Sequence, residues 1–207
     1  MLPAQLLQNF DDSVVVSQEL KQRLELTVRT KTVKKGDYLV VRGQVCEYVY
    51  FVVSGLFRSY IMDDNETEIV TWFAADQDVM TSASSFFFGV FTQEYIQALD
   101  DSYVHCISKQ DLDDIYQTFV EFNFAGRRFM EKCFVAAEGR NLLLRRSGED
   151  RVRFFLSKYI HLQQRISHKN IASYLGISRE HFSRILSKLL REKDFHIKRK
   201  KSDVMIM

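Results

Sequence analysis

The sequence contains few of the residues that build disulfide frameworks, metal centres or membrane spans. Its three cysteines, Cys46, Cys106 and Cys133, are odd in number and far apart, which favours buried free thiols over disulfides or a metal site. No apolar run is long enough to cross a membrane, and the N-terminal residues show no basic region followed by a hydrophobic one. These absences predict a cytoplasmic protein without a membrane partner.

The charges are divided unequally along the chain, although the formal net charge is only +2. From Arg140 onward there are 17 Lys/Arg against 6 Asp/Glu, whereas residues 1–139 hold 12 Lys/Arg against 21 Asp/Glu. An acidic portion followed by a basic one indicates two modules, of which the basic one meets a polyanion. Charge alone allows DNA, RNA or a membrane surface, so the choice among them depends on the motifs.

The stretch from Ile166 to Leu190 has the pattern of two short helices joined by a tight turn. Ser167 can cap the first helix, Ser178 can cap the second, and Gly176 between them tolerates a left-handed backbone. Apolar side chains recur in the second helix at spacings of three and four: Phe182, Ile185, Leu186 and Leu189. Polar side chains fill its other side: Arg179, Glu180, Ser183, Arg184 and Lys188. The pattern predicts a helix-turn-helix whose second helix can enter the major groove of DNA. An αα-hairpin whose charges are merely solvated is the alternative.

The string I-S-x-x-x-I-A-x-x-L-G-I-S-R-E-x-x-S-R-I-L-x-x-L, from Ile166 to Leu189, resembles the DNA-binding signature of the CRP/FNR family of bacterial transcription regulators. The resemblance is weaker but collinear from about Lys34 onward. It implies base-reading roles for four residues: Arg179, Glu180, Ser183 and Arg184. It implies contacts to the DNA backbone for four more: Ser167, His168, Ser178 and Lys188. His168 stands where an arginine is expected and His181 where a threonine is usual, so contact strength and sequence preference are expected to differ there.

Between Thr32 and Ile107 the sequence changes to short β-branched and aromatic runs separated by turn residues. The clearest runs are 38–41, 48–53, 56–61 and 68–73. Many short strands at close spacing predict an antiparallel barrel or jelly roll. The order K-K-G-D-Y-L-V-x-x-G, followed by Y-V-Y-F-V-V-S-G-L-F-R, is similar to the opening of a cyclic-nucleotide-binding β-roll.

The segment from Asp78 to Ala98 bears on whether such a β-roll binds a cyclic nucleotide. In nucleotide-binding relatives a Gly-Glu pair takes the ribose and an Arg-Ser pair takes the cyclic phosphate. Thr81-Ser82 and Thr92-Gln93 stand at those positions here. The loss of the arginine fork, together with the negative charge of Glu94, disfavours cyclic AMP and cyclic GMP.

An effector of another kind remains open, and its identity is not predicted. The candidate lining of its pocket is Thr81, Ser82, Phe86, Thr92 and Gln93. The aromatic residues Phe86, Phe87, Phe88 and Phe91 could line a hydrophobic pocket, but we expect them to fill the barrel core.

Other sensor chemistries and an enzymatic role find little support in the sequence. An iron–sulfur sensor needs about four suitably placed cysteines. A haem sensor needs an axial ligand, and the available His105 and Cys106 are expected in the core. His105 is the only histidine before His161, which excludes the clustered ligands of a cupin-like metalloenzyme. No metal, cofactor or catalytic residue is therefore predicted.

From Lys109 to Arg146 the pattern is helical again, with a short acidic helix near 111–116 and then a longer one. By resemblance the longer helix is the family's dimerisation helix. The residues expected on its seam advance by threes and fours: Phe122, Phe129, Cys133, Ala137 and Leu144. A helix that packs only on its own barrel is the alternative. Apolar residues on a second face, such as Phe124 and Phe134, would allow both contacts at once.

The segment 147–150 indicates a hinge, where Ser147 can cap a helix that has Asp150 at its third position. A helix over 151–164 is expected to follow, with Val152, Phe155, Leu156, Tyr159 and Ile160 inward. Near the C-terminus two short apolar runs flank a basic turn that includes Arg199, Lys200 and Lys201. They predict a wing whose cations lie along DNA phosphates, and a solvated hairpin is the alternative.

The sequence thus predicts an α+β protein with three parts. These are N-terminal helices with an antiparallel, jelly-roll-like β-roll (1–117), a long dimerisation helix (118–146) and a C-terminal winged helix-turn-helix domain (147–207). The resemblance implies a homodimeric transcription regulator that binds near-palindromic double-stranded DNA and has RNA polymerase as a further partner. The alternative is a ligand-binding or protein-interaction module whose basic tail makes no sequence-specific DNA contact.

Overall fold

The computed structural model describes residues 16–191, and these residues divide into two units. The first contains the described residues up to Glu66 together with Thr71–Met130. The second contains Thr67–Val70 together with the described residues from Glu131 onward. Of the predicted N-terminal helices, any part before residue 16 lies outside the described residues. The described helix is α1, Gln18–Thr27, which Ser17 caps by accepting a hydrogen bond from the Leu20 amide.

Short strands make up most of the first unit. They are β1 Arg29–Val33, β2 Tyr38–Val40, β3 Tyr48–Ser54, β4 Leu56–Met62, β5 Glu68–Ala75, β6 Val79–Met80, β7 Glu94–Ala98 and β8 Ser102–Ser108. They form two four-stranded sheets, with strand orders β1-β8-β3-β6 and β2-β7-β4-β5. Strand β8 pairs antiparallel with both β1 and β3, and β7 pairs antiparallel with both β2 and β4. The predicted antiparallel, jelly-roll-like architecture is confirmed.

The core of this unit lies where the two sheets face each other. Because successive side chains on a strand point to opposite faces, alternate residues can be apolar and inward. Val52 and Val104 from one sheet and Phe57 and Ile96 from the other belong to a single buried cluster. Burial of such a side chain contributes about 1.5–3 kcal/mol relative to exposure, so these strands are held mainly by their inner faces.

The remaining helices are α2 Ala83–Phe88, α3 Lys109–Thr118, α4 Val120–Leu143, α5 Gly148–Tyr159, α6 His168–Tyr174 and α7 Arg179–Arg191, with a 3₁₀ turn at Ile160–Leu162. The predicted short acidic helix is α3, and the predicted long helix is α4. The helix expected over 151–164 ends earlier, at Tyr159, because the chain tightens into the 3₁₀ turn. Leu162 is consequently buried there, and Ile160, expected inward, is 43% exposed. Within residues 16–191 no helix combines the length and the apolar character needed to span a membrane.

Gly55, between β3 and β4, can be tested for its contribution to stability. Its φ is +131°, and a Cβ built there would lie 2.1 Å from Ser102 Oγ and 2.9 Å from Ser102 Cα. Because backbone strain and overlap with fixed backbone add together, Gly55→Ala should lower the free energy of unfolding by about 2–5 kcal/mol. Urea unfolding followed by the fluorescence of Trp72, the only tryptophan, measures this.

Gly43→Ala is the matched control, because its φ is +84° and its Cβ would meet nothing within 4 Å. Strain alone should cost about 1–2 kcal/mol. Equal losses in the two variants would show that the contact with Ser102 is unimportant.

Candidate nucleic-acid interface and effector pocket

Helices α6 and α7 form the predicted helix-turn-helix. Ser167 caps α6 by accepting from the Asn170 amide at 3.2 Å, and Ser178 accepts from the His181 amide at 3.1 Å at the start of α7. Gly176 lies between them with φ +63°, as the turn requires. The local signals read from the sequence therefore place both helix starts and the turn correctly.

The two faces of α7 are cleanly separated. Phe182, Ile185, Leu186 and Leu189 are buried. The opposite face is exposed and forms one open concavity, lined by Arg179, Glu180, Ser183, Arg184, Ser187, Lys188 and Arg191. The structure thus brings together all four residues predicted to read bases, and adds Ser187 and Arg191, which the sequence analysis did not single out. Ser187 is three residues after Arg184, and Arg191 is four residues after Ser187. This helical spacing was the signal in the sequence that could have placed both on the same face.

The exposed face of α7 carries charged side chains of both signs. Arg179 and Arg184 form no ion pair within the described part of the chain. Hydrogen bonds from its own backbone amide and from the Ser178 side chain lower the pKa of the Glu180 carboxyl. The surface therefore presents fixed guanidinium donors beside an ionised carboxylate acceptor.

The residues predicted to contact the DNA backbone lie around this face. Ser167, His168 and Ser178 are exposed, and the His168 ring meets the Phe182 ring edge-on with centroids 5.2 Å apart. Lys188 Nζ lies 2.7 Å from Glu149 Oε2. Such an exposed ion pair contributes only about 0–1 kcal/mol, so Lys188 can exchange it for another anion. Arg199, Lys200 and Lys201, and the predicted wing, lie outside the described residues.

The predicted effector pocket is closed by its own hydroxyl groups. Ser82 and Thr92 are 1% and 0% exposed, and their side-chain oxygens lie 2.7 Å apart. Thr92 Oγ1 also accepts from the Glu94 amide at 3.0 Å. Backbone hydrogen bonds between Thr92 and the segment Gly43–Gln44 hold the loop before β7 in place. Ser82 and Thr92, which stand at the expected positions of a ribose and a phosphate contact, are therefore hydrogen-bonded to each other.

The other residues of the predicted lining make separate contacts. Thr81 Oγ1 donates to Tyr48 O at 3.0 Å, Phe86 is part of the core, and Gln93 is exposed. Ser59 Oγ donates to Glu94 Oε1 at 3.2 Å, so a carboxylate is retained beside the place where a phosphate would sit. These residues do not fit a cyclic nucleotide, because none of them is a cation for the phosphate and Glu94 adds a negative charge.

The expectation that the four aromatic residues near α2 fill the core is correct for Phe86 only. Phe88 and Phe91 are 81% and 70% exposed, and Phe87 is also exposed. The reason is the length of the segment: α2 has six residues and ends at Gly89, whose left-handed backbone turns the chain outward. Only one face of so short a helix packs on the core, and Phe86 is the phenylalanine on that face.

His105 and Cys106 are both buried, as expected, and do not form a joint site. Adjacent residues of a strand point to opposite faces, so these two side chains cannot bind the same group. Burial lowers the pKa of His105 and raises that of the Cys106 thiol, which favours the neutral form of each. Within residues 16–191 no three His, Cys, Asp or Glu side chains are grouped so that they could hold a metal ion.

The stripe of α4 predicted to face a partner is largely occupied within its own chain. Phe122 is buried and its ring packs against Tyr116 with centroids 5.0 Å apart. Phe129, Cys133 and Leu144 are half-buried, and Ala137 is exposed. Phe122 is therefore covered within its own chain, and its place on a dimer seam stays a prediction. The spacing of apolar residues predicted a packed face of α4. It could not tell whether the same chain or a second copy covers that face.

Comparison with known proteins agrees with both units. Residues 30–119 match the family described as "Cyclic nucleotide-binding domain", and residues 141–206 match the "Crp-like helix-turn-helix domain". The chain is 24% identical over 197 residues to electron transport regulator A of Shewanella oneidensis, covering 88% of this chain and 77% of that protein. It is 25% identical over 201 residues to the fumarate and nitrate reduction regulatory protein of Vibrio cholerae, with the same coverage.

Solved structures share the fold. A putative transcriptional regulator of the Crp/Fnr family from Eubacterium rectale superposes with a TM-score of 0.68 at 23% identity, covering 86% of this chain and 85% of that one. The two domain matches, the order in which they occur and the exposed polar face of α7 agree with one another. The chain belongs to the CRP/FNR family of transcription regulators and carries a helix-turn-helix DNA-binding domain.

Proposed function

We propose that this regulator acts as a homodimer that reads a near-palindromic DNA site through the exposed face of α7. The observation that carries the proposal is the set Arg179, Glu180, Ser183 and Arg184 on one open surface of a helix whose other side is buried. Two such helices related by a twofold axis would enter successive major grooves, about 34 Å apart. A transcription regulator acts where DNA and RNA polymerase are found, so we place this protein in the cytoplasm.

Each of these side chains suits a base edge. An arginine can donate two hydrogen bonds to the O6 and N7 acceptors of guanine, and a glutamate can accept from the N4 amine of cytosine. Because Arg179 and Arg184 have no ion-pair partner in the described residues, binding to DNA does not first require an internal pair to break. Ser167, His168, Ser178 and Lys188 would position the helix through phosphates, and we assign the same role to Arg199, Lys200 and Lys201.

The exposed side of α4 supports self-association. Large apolar side chains remain on the surface along this helix: Val120, Phe124, Met130, Phe134, Val135 and Leu142. Val120 and Phe134 are two heptads apart, and Val135 and Leu142 are one heptad apart, as a coiled-coil seam requires. Contiguous exposed apolar surface of this kind marks an interface in soluble proteins. We therefore place the dimer contact on this second face, and not on the stripe that contains Phe122.

We further propose that cyclic AMP and cyclic GMP are not effectors. The argument is the closed Ser82–Thr92 pair and the carboxylate of Glu94. A cyclic phosphate would have to break a buried hydrogen bond and would lie near the Glu94 carboxylate, and leaving buried polar groups unpaired costs about 1–3 kcal/mol each.

Replacement of Arg184 tests base reading. Arg184→Ala should weaken binding to the preferred duplex by about 1–3 kcal/mol and relax selectivity at one base position. Binding-site selection followed by fluorescence anisotropy titration measures both effects. Arg23→Ala is the control, because it removes one positive charge in α1 and should change neither. A uniform loss across all sequences would make Arg184 a phosphate contact, and no preference for any duplex in the parent protein would refute the proposed function.

Replacement of Phe134 tests the dimer. The Phe134 side chain is 73% exposed in a single chain. Phe134→Glu would bury a charge in the proposed interface and should raise the dimer dissociation constant at least about 30-fold, equivalent to about 2 kcal/mol. Sedimentation velocity over a concentration series measures this. Leu26→Glu, at a leucine in α1 that is 83% exposed, controls for general loss of apolar surface. A dimer unaffected by Phe134→Glu would place the interface elsewhere.

Thermal unfolding tests the effector proposal. A ligand at 100 times its Kd would add about 2.7 kcal/mol of stability and raise Tm by about 5–10 °C in a protein of this size. Cyclic AMP and cyclic GMP at millimolar concentration should leave Tm unchanged within error, as should adenosine, which lacks the phosphate. A saturable rise with either cyclic nucleotide would contradict the proposal.

A further inference from the structure

The turn between α6 and α7 leaves two carbonyl groups that its own backbone does not satisfy. The last four carbonyls of a helix have no partner within the helix. In α6 the Ala172 carbonyl accepts from the Ile177 amide at 3.1 Å, and the Ser173 carbonyl accepts from the Gly176 amide at 3.0 Å. This is the usual backbone closure around a left-handed glycine. It leaves the carbonyls of Tyr174 and Leu175 to be bound by other groups.

Arginines from two other helices bind these two carbonyls. Arg140, near the end of α4, donates from Nη1 to Tyr174 O at 2.8 Å. Arg151, in the first turns of α5, donates from Nη1 to Leu175 O at 2.9 Å and to Gly176 O at 3.3 Å. All of these residues belong to the second unit. Positive charge at the C-terminal end of a helix is also favoured by the helix dipole.

Each guanidinium has a second attachment that sets its position. Arg151 Nε donates to Arg146 O at 2.9 Å, directly after the end of α4. The Arg140 guanidinium lies 4.1 Å above the centre of the Tyr174 ring, and its Nη2 donates to Val70 O at 3.0 Å. A guanidinium spreads its donors over three nitrogens in a planar fork and can make such contacts at separate places, whereas lysine carries all its donors on one nitrogen.

Gly176 makes room for this arrangement. A Cβ at Gly176 would lie 3.3 Å from Arg151 Nη1 and 3.5 Å from Leu144 Cδ2. The left-handed backbone therefore favours glycine, and a larger residue would also crowd the guanidinium that covers the turn. Three chain segments, the end of α4, the start of α5 and the end of α6, meet at this point.

We propose that Arg140 and Arg151 are positioning residues for DNA recognition: together they fix the end of α6 and the turn, and thereby the angle at which α7 meets the bases. Neither needs to touch DNA. The claim that the two arginines hold the turn rests on their hydrogen bonds alone. The claim that they affect DNA recognition rests on the proposed function. It makes sequence selectivity depend on two side chains outside the exposed face of α7.

Charge-conserving variants test the inference, because they leave the attraction to phosphate unchanged. In Arg140→Lys and Arg151→Lys, affinity for the preferred duplex should fall about tenfold or more, comparable with the loss of one good base contact. Affinity for random duplex at the same salt concentration should stay the same, since it depends on net positive charge. Arg153→Lys is the matched control, because Arg153 is on the same helix as Arg151 and bonds Glu149 instead of the turn.

Hydrogen exchange gives a readout that needs no DNA. The amides of Gly176 and Ile177 close the turn, so they should exchange at least about tenfold faster in both test variants and unchanged in the control. The amides of β8 should keep their protection in every variant, which separates local loosening from general loss of stability.

The inference holds if both results are obtained. Faster exchange without a change in the ratio of specific to random binding would overturn the positioning role, and unchanged exchange at Gly176 and Ile177 would overturn the structural part. If the parent protein itself shows no preference among duplexes, the proposed function fails, and exchange at the turn still decides whether the arginines hold it.

Discussion

The position of the exposed face of α7 depends on the hydrogen bonds at the end of α6. Four carbonyls from Ala172 to Leu175 must be bound before the chain can turn and start α7, and both backbone amides and arginine side chains contribute. The turn favours a glycine, because its φ is +63° and Arg151 lies over it. Once the turn is set, the buried residues of α7 determine which side faces outward, and Arg179, Glu180, Ser183 and Arg184 are exposed as a result.

The β-roll illustrates how a binding fold can be kept while its ligand chemistry is replaced. The two sheets are held by inward apolar residues such as Val52, Phe57 and Val104, and this core does not require a ligand. At the positions where the resemblance predicts ribose and phosphate contacts, this chain has a buried hydrogen bond between Ser82 and Thr92. A family match over residues 30–119 therefore identifies the fold of the domain and not its ligand.

The long helix α4 has two apolar faces, of which one is buried and the other is exposed. The face with Phe122, Ala125 and Gly126 packs on its own chain, and Gly126 is needed there because a Cβ would overlap the Tyr116 side chain. The other face keeps Phe124 and Phe134 on the surface. Apolar periodicity alone finds both faces. Only burial distinguishes the face that is covered within the chain from the face to which we assign the proposed dimer contact.

Local interactions were readable from the sequence. Ser147, Ser167 and Ser178 accept the amide hydrogen bonds expected of them, Gly176 takes the left-handed turn, and the exposed residues of α7 follow from the spacing of its apolar ones. The short strands and their turns were also located, because alternation and turn residues act within a few positions of each other. Such features depend on neighbours in the chain, and a sequence displays those neighbours directly.

Contacts between distant residues were decided only by the tertiary structure. Arg140 interrupts an otherwise apolar stripe, and nothing near it in the sequence indicates that its partner is Tyr174, 34 residues away. Tertiary structure likewise decided that Ser82 bonds Thr92, ten residues away, and that Phe88 and Phe91 are exposed. By itself the sequence determined the helix-turn-helix and its exposed charges. The tertiary structure decided what holds the turn, which face of α4 is free and whether the barrel is open, because each depends on side chains that only folding brings together.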